Sequence, residues 1–247
     1  MTDTITINAD LGESVGVHSF GNDDALLRIV DTVNVACGMH AGDPTQMART
    51  VRAAAAAGVT VGAHPGLPDI AGFGRRAMAI TPEEARDLVR YQVAALVGFL
   101  DALGVPLDHI KPHGALFGMT SRDEALMNGV CEVAAQYGVP VFGVAGTAHE
   151  SAAAAAGVGF VSEFYVDLDY DEDGNLIVER NPPSRDPAEV KRRARQAVVD
   201  GSLTTRDGSV LPVRVQSVCI HSDTSDAVAS ATVVREVLVD AGRSAVV

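Results

Sequence analysis

Tryptophan is absent, phenylalanine and tyrosine together make up 4% of the chain, and lysine occurs only at 111 and 191, against 17 arginines. A core without large rings must be filled by aliphatic side chains, and the 47% hydrophobic fraction supplies them. The three cysteines, Cys37, Cys131 and Cys219, form neither an even framework nor a C-x-x-C pair. That excludes a disulfide scaffold and suits a reducing cytoplasm. No apolar run approaches the roughly 20 residues that cross a bilayer, so no membrane association is expected. The start "MTDTITINAD" lacks the basic and apolar regions of a secretory leader. No G-x-x-x-x-G-K-[ST] loop occurs and no G-x-G-x-x-G follows the first strand, so nucleotide chemistry must use another cradle or a different polypeptide. Positive charge is in deficit too: the net charge of -13 repels a phosphate backbone, and "KRRARQ" at 191–196 reads as a solvated helix face. No nucleic-acid partner is expected.

What is present is rhythm. Short β-branched or apolar runs at 5–8, 32–36, 59–63, 109–111, 139–144, 159–164 and 217–220 alternate with helical segments. Helix starts are marked where Asp43, Thr81, Ser121 and Asp186 each stand three positions before Glu or Gln, three of them followed by Pro. Gly58, Gly104, Gly138 and Gly157 mark helix ends. Alternating strands and helices imply right-handed βαβ units in one α/β domain over 1–247, either a closed barrel or an open doubly wound sheet. Two segments break the rhythm: the acidic stretch 165–185, a candidate functional loop, and a hairpin around Asp207-Gly208.

In parallel α/β folds ligands bind at the C-terminal ends of the strands. There the sequence sets Asp10 and Glu13, then His40 and Asp43, His64, Lys111 and His113, Glu163 and Asp167, and finally His221 and Asp223. Four of the seven histidines fall at that end, whereas His18, His109 and His149 lack the context and read as surface or packing residues. Lys111 stands out because arginine is the default cation here, and a compact, titratable ammonium does what guanidinium cannot. Asp10, His40 and His64 offer an open three-donor set for a divalent metal that activates water. Cys37, beside Gly38, reads as a packing residue.

The stretches "INADLGES", "NVACGMHAGDP", "GVTVGAHPGLPDIAGFGRR", "IKPHGALF" and "CIHSD" resemble the LamB/YcsF family, in order from Ile7 to about Asp226. The resemblance implies an irregular parallel (β/α)7 barrel of the glycoside hydrolase/deacetylase type. It also implies ATP-dependent opening of 5-oxo-L-proline to L-glutamate by a 5-oxoprolinase, of which this chain would be the A component, working with separate B and C subunits. Its matching positions include Asn8, Asp10, Glu13, Asn34, Cys37, His40, Asp43, His64, Phe73, Arg75, Lys111, His113, His221 and Asp223. Self-association is expected on the same ground. One departure concerns "EFYVDLDY" at 163–170: the family usually has arginine where this chain has Leu168, while Asp167 and Tyr170 are kept. If that arginine grips a substrate carboxylate, the grip falls here to Arg75, Arg180 or Lys111, or the substrate differs.

A lactam carbonyl needs a cation for developing negative charge, a base for water and an acid for the leaving nitrogen. Lys111 is expected to stabilise anionic oxygen, Asp10 or His64 to activate water, and His113 or His40 to donate the proton. Asn8, Glu13, Asn34, Arg75, Asp167, His221 and Asp223 are expected to bind substrate. Two other functions fit the same residues, a metal-dependent amidase or deacetylase and a non-catalytic binding subunit. Replacing Lys111 by Met is expected to abolish ATP-coupled turnover and to leave the fold intact.

Overall fold

The computed structural model describes residues 4–179 and 184–244. Six strands come first: β1 (Thr6–Leu11), β2 (Thr32–Ala36), β3 (Thr60–His64), β4 (Leu107–Ile110), β5 (Val141–Gly143) and β6 (Phe160–Tyr165). Two short antiparallel pairs follow, β7 (Asp169–Tyr170) with β8 (Leu176–Ile177) and β9 (Ser202–Thr204) with β10 (Val210–Pro212), before β11 (Ser217–His221). Strands β1 to β6 and β11 close a parallel barrel in the order β1-β11-β6-β5-β4-β3-β2. The open-sheet alternative is thereby excluded.

The helices are α1 (Asp23–Leu26), α2 (Pro44–Ala57), α3 (Pro82–Asp101), α4 (Gly114–Thr120), α5 (Glu124–Tyr137), α6 (Ala148–Ala156), α7 (Pro187–Val199) and α8 (Ala227–Asp240). Asp43 accepts from the amides of Thr45 and Gln46, and Thr81 completes a reciprocal capping box with Glu84. Such caps are each worth about 0.5–2 kcal/mol. Ser121 departs from expectation. It caps the C-terminal end of α4, and Asp123, two positions on, accepts from the amides of Ala125 and Leu126 to start α5. Gly58, Gly138 and Gly157 end their helices in the left-handed conformation; α3 ends instead at Ala102, and Gly104 turns two residues later.

Alternation divides each strand between two environments. In β1, Ile7, Ala9 and Leu11 are fully buried in the aliphatic layer between barrel and helices, along with Val33, Val51, Val89 and Val234. Asn8 and Asp10 alternate with them and meet the side chains of other strands inside the barrel. The interior is consequently polar, and its groups bond one another. Gly62 on β3 makes room there, since a Cβ at that position would lie 2.2 Å from His109 Nε2.

The stretch after β6 is more ordered than a loop. Leu168, Tyr170 and Leu176 are buried, and Asp169 is held by Arg185, Arg193 and Arg206. Arg180 lies outside the described residues. No described helix is long and apolar enough to cross a membrane.

Candidate active site

Strand register sets the first layer. Asp10 is the Cα partner of both His221 on β11 and Asn34 on β2, and Ala36 is that of His64 on β3. The barrel therefore brings Asp10, His64, Lys111, His113 and His221 to one mouth, where they line a narrow cleft.

Asp10 is the hub. Its Oδ1 accepts from Asn34 Nδ2 at 2.8 Å and from Lys111 Nζ at 2.9 Å, while Oδ2 lies 3.4 Å from His64 Nε2 and 3.7 Å from His221 Nε2. Burial opposes its charge, yet His64 and Lys111 outweigh burial and hold the Asp10 pKa well below the carboxylate range. Lys111 is only 1% exposed and also pairs with Glu163 at 3.0 Å. Burial would discharge it, but Asp10, Cys219 and Glu163 push its pKa well up. Removing the ammonium would strand two buried carboxylates, so Lys111→Met is expected to cost stability.

On the same side His221 donates from its backbone N–H and approaches through Nδ1 the Asp167 carboxylate, at 2.9 and 3.0 Å. Burial lowers the His221 pKa, and Asp167 overrides it, raising it to about 9. Tyr165 donates to Glu163 Oε2 at 2.6 Å.

The other side of the mouth behaves differently. His40 and His113 stack with ring centroids 3.7 Å apart, and His113 Nδ1 lies 3.0 Å from His64 Nε2. Burial, then the neighbouring imidazoles, depress both the His40 and the His113 pKa far below the usual value. Burial and the nearby Asp10 push the Glu13 pKa well up. Gly74, at φ 63°, permits this crowding: a Cβ there would lie 2.6 Å from the His40 Cβ. Phe73, the one non-glycine among the described residues with positive φ, 54°, packs edge-on against both rings.

Of the expected metal trio, Asp10 and His64 are neighbours at 3.4 Å, while the tight donor groups divide otherwise. His40 and His64 lie with Glu13 and His113, whereas Asp10 lies with Cys219 and His221. Arg75 pairs with Asp223 at 2.9 Å over the Phe73 ring, at the rim of the cleft, and Leu168 contributes to the apolar part of its wall with Leu176 and Val178. Cys37 is buried and its thiol is pushed up to about 12 by burial, which fits a packing residue. Asp43 serves as a helix cap and bonds the Gly16 amide.

Glu163, already placed at this end by the sequence, faces Lys111. Three participants were not picked out: Tyr165 also faces Lys111, Cys219 Sγ lies 2.9 Å from Nζ, and His109 Nε2 bonds Asn34 Oδ1 at 2.5 Å. His109, read as packing, thus fixes Asn34, whose amide in turn fixes Asp10 and Asn8. The available signal was spacing, since His109 stands two positions from Lys111, and Glu163 two from Tyr165, on the inward side of a strand.

A closed parallel barrel with carboxylate, ammonium and imidazole groups at the C-terminal strand ends is the arrangement of barrel enzymes. The particular kind follows from similarity to known proteins: the LamB/YcsF family model matches residues 5–246, and the chain belongs to that family. It is 48% identical over 225 residues to "Lactam utilization protein lamB" of Emericella nidulans, covering 88% of this chain and 87% of that one. It is 45% identical to the A subunit of 5-oxoprolinase from Methylococcus capsulatus, over 94% of this chain and 90% of the relative. The crystal structure of a lactam utilization protein from Thermus thermophilus superposes with a TM-score of 0.88 at 41% identity, each chain covered to 97%.

Proposed function

We propose that this chain is the A component of a cytoplasmic, ATP-dependent 5-oxoprolinase, opening 5-oxo-L-proline to L-glutamate together with separate B and C subunits. Relatives named as A subunits of 5-oxoprolinase and as a lactam utilization protein support the substrate class. The observation that carries the reading is the junction of Lys111, Asp10 and His221 beside a small cleft.

Each group answers a need of lactam opening. The Lys111 ammonium, fixed between two carboxylates, faces negative charge that develops on the carbonyl or phosphoryl oxygen. Asp10, held ionised, is an acceptor for the proton of an attacking water. The proton for the leaving nitrogen comes from His221 rather than from His113 or His40, because only His221 is held in its charged form near neutrality. Arg75 is the rim cation suited to a substrate carboxylate, in the absence of an arginine at 168. The lack of a phosphate loop supports assigning part of the ATP step to the partners.

An assay of 5-oxoproline and ATP tests this, with the chain alone and with its B and C partners. Glutamate, ADP and phosphate are expected only from the mixture, and no product when Lys111→Met is used. ATP-independent lactam hydrolysis by the chain alone, or a mixture inert toward 5-oxoproline, overturns it.

A further inference from the structure

Two histidine nitrogens in the barrel mouth face each other in a way neutral rings do not favour. His64 Nδ1 lies 2.8 Å from the Lys111 carbonyl, and His113 Nε2 lies 2.7 Å from the Phe73 carbonyl. A carbonyl only accepts, so each ring carries its hydrogen on that nitrogen. When both rings are neutral, the remaining nitrogens, His64 Nε2 and His113 Nδ1, present lone pairs to each other across 3.0 Å. A carboxyl group joins them: Glu13 Oε1 lies 3.7 Å from His113 Nδ1 and 3.4 Å from His40 Nε2. All four donor atoms lie within 4.8 Å of one another, on buried side chains.

These separations have a meaning. A tetrahedral ion with bonds of about 2.0–2.1 Å to nitrogen and oxygen holds its ligand atoms roughly 3.3–3.4 Å apart. The observed 3.0, 3.4 and 3.7 Å bracket that edge. The outer shell also has the form metal-bound histidines take, in which the second ring nitrogen donates to a backbone carbonyl and so fixes the tautomer.

We propose that His64 Nε2, His113 Nδ1 and Glu13 Oε1, joined by His40 Nε2, bind one divalent transition ion of the zinc type. Three imidazoles and one carboxylate suit such an ion better than magnesium or calcium, which take oxygen ligands. His40 already keeps Nε2 3.4 Å from Glu13 Oε1 while it stacks on His113. The ion would lie beside Asp10, whose Oδ2 is 3.4 Å from His64 Nε2, and two of its ligands line the cleft. The site stands independently of the lactam reading, because binding is measured without substrate.

The test uses the full chain, stripped with a chelator and titrated with cobalt(II) and then zinc. One equivalent of cobalt is expected, with the visible absorption of a four-coordinate ion, displaced by zinc. His113→Asn and the gentler Glu13→Gln should each weaken binding by about 10–100-fold, with circular dichroism confirming that both fold. Cys219→Ser, in the neighbouring group around Asp10, should bind like the parent. Three results overturn the proposal: no stoichiometric uptake, uptake indifferent to both ligand variants, or uptake abolished by Cys219→Ser alone. So does a nitrogen-15 spectrum in which the His64 and His113 rings share a proton that added zinc does not displace.

Discussion

His221 and His113 are both largely buried imidazoles at strand ends of one barrel mouth, yet they are driven to opposite protonation states. His221 has Asp167 at 3.0 Å and Asp10 at 3.7 Å, and its pKa rises to about 9. His113 lies flat against His40 and within 3.0 Å of His64, and its pKa falls far below the ordinary value. Burial pushes both the same way, so the neighbours decide. The mouth thus has an ionic side, built on Asp10, Lys111, Glu163, Asp167 and His221, and a side on which burial drives His40 and His113 toward the neutral form.

The most severe way to break the ionic side is Lys111→Met. It leaves Asp10 and Glu163 buried without their cation, at a cost of about 3–5 kcal/mol, read from urea unfolding, and it should abolish ATP-coupled turnover. Unfolding midpoints like the parent's would show that the carboxylates do not depend on it.

Next in size is Asn34→Ala. The change leaves His109 Nε2 without its acceptor and Asp10 without one donor, for a loss of about 1–3 kcal/mol. Because Asp10 loses orientation rather than charge, kcat should fall more than KM rises. An unchanged kcat would confine Asn34 to stability.

The contrast between the two histidines is sharpened by Asp167→Asn. In this variant the His221 resonance, followed by NMR, should titrate nearer the ordinary value of about 6.5. A raised folded pKa stabilises fully below the unfolded value of about 6.5, and the contribution disappears as pH rises through about 9. His40 and His113 work in the other direction: the unfolded chain takes up their protons first, so stability falls as pH drops below about 6.5. The parent should therefore lose stability at both ends, and Asp167→Asn should flatten the alkaline limb. A variant with the same alkaline loss as the parent would assign it to other groups.

The smallest effect concerns the second lysine. Lys191 meets Glu236 at 2.8 Å with both side chains about half exposed, so Glu236→Ala should barely move the thermal midpoint, even at low salt. A loss comparable to that of Lys111→Met would erase the distinction between the chain's two lysines.

Much of this architecture was legible in the sequence because its signals are local. Seven hydrophobic runs coincide with the seven barrel strands, and three of four helix starts fall where their caps stand. Knowing only that ligands gather at strand ends was enough to bring Asp10, His64, Lys111, His113 and His221 to one place. The division of the histidines was not legible, since it turns on gaps of 3 to 4 Å between side chains from different strands. His109 escaped because a histidine within a strand resembles a packing residue until the partner strand carrying Asn34 is known. Glu13 was placed beside Asp10 by sequence, yet its carboxylate reaches across to His40.

Phe73 shows what such a site demands of its scaffold. Holding a phenylalanine at φ 54° costs on the order of 1–3 kcal/mol, yet it is this backbone turn that delivers a carbonyl to His113 and a ring to His40. Glycine at this position would ease the backbone but remove the ring that packs on His40, His113 and Phe20, so the turn trades conformational ease for the placement of both histidines.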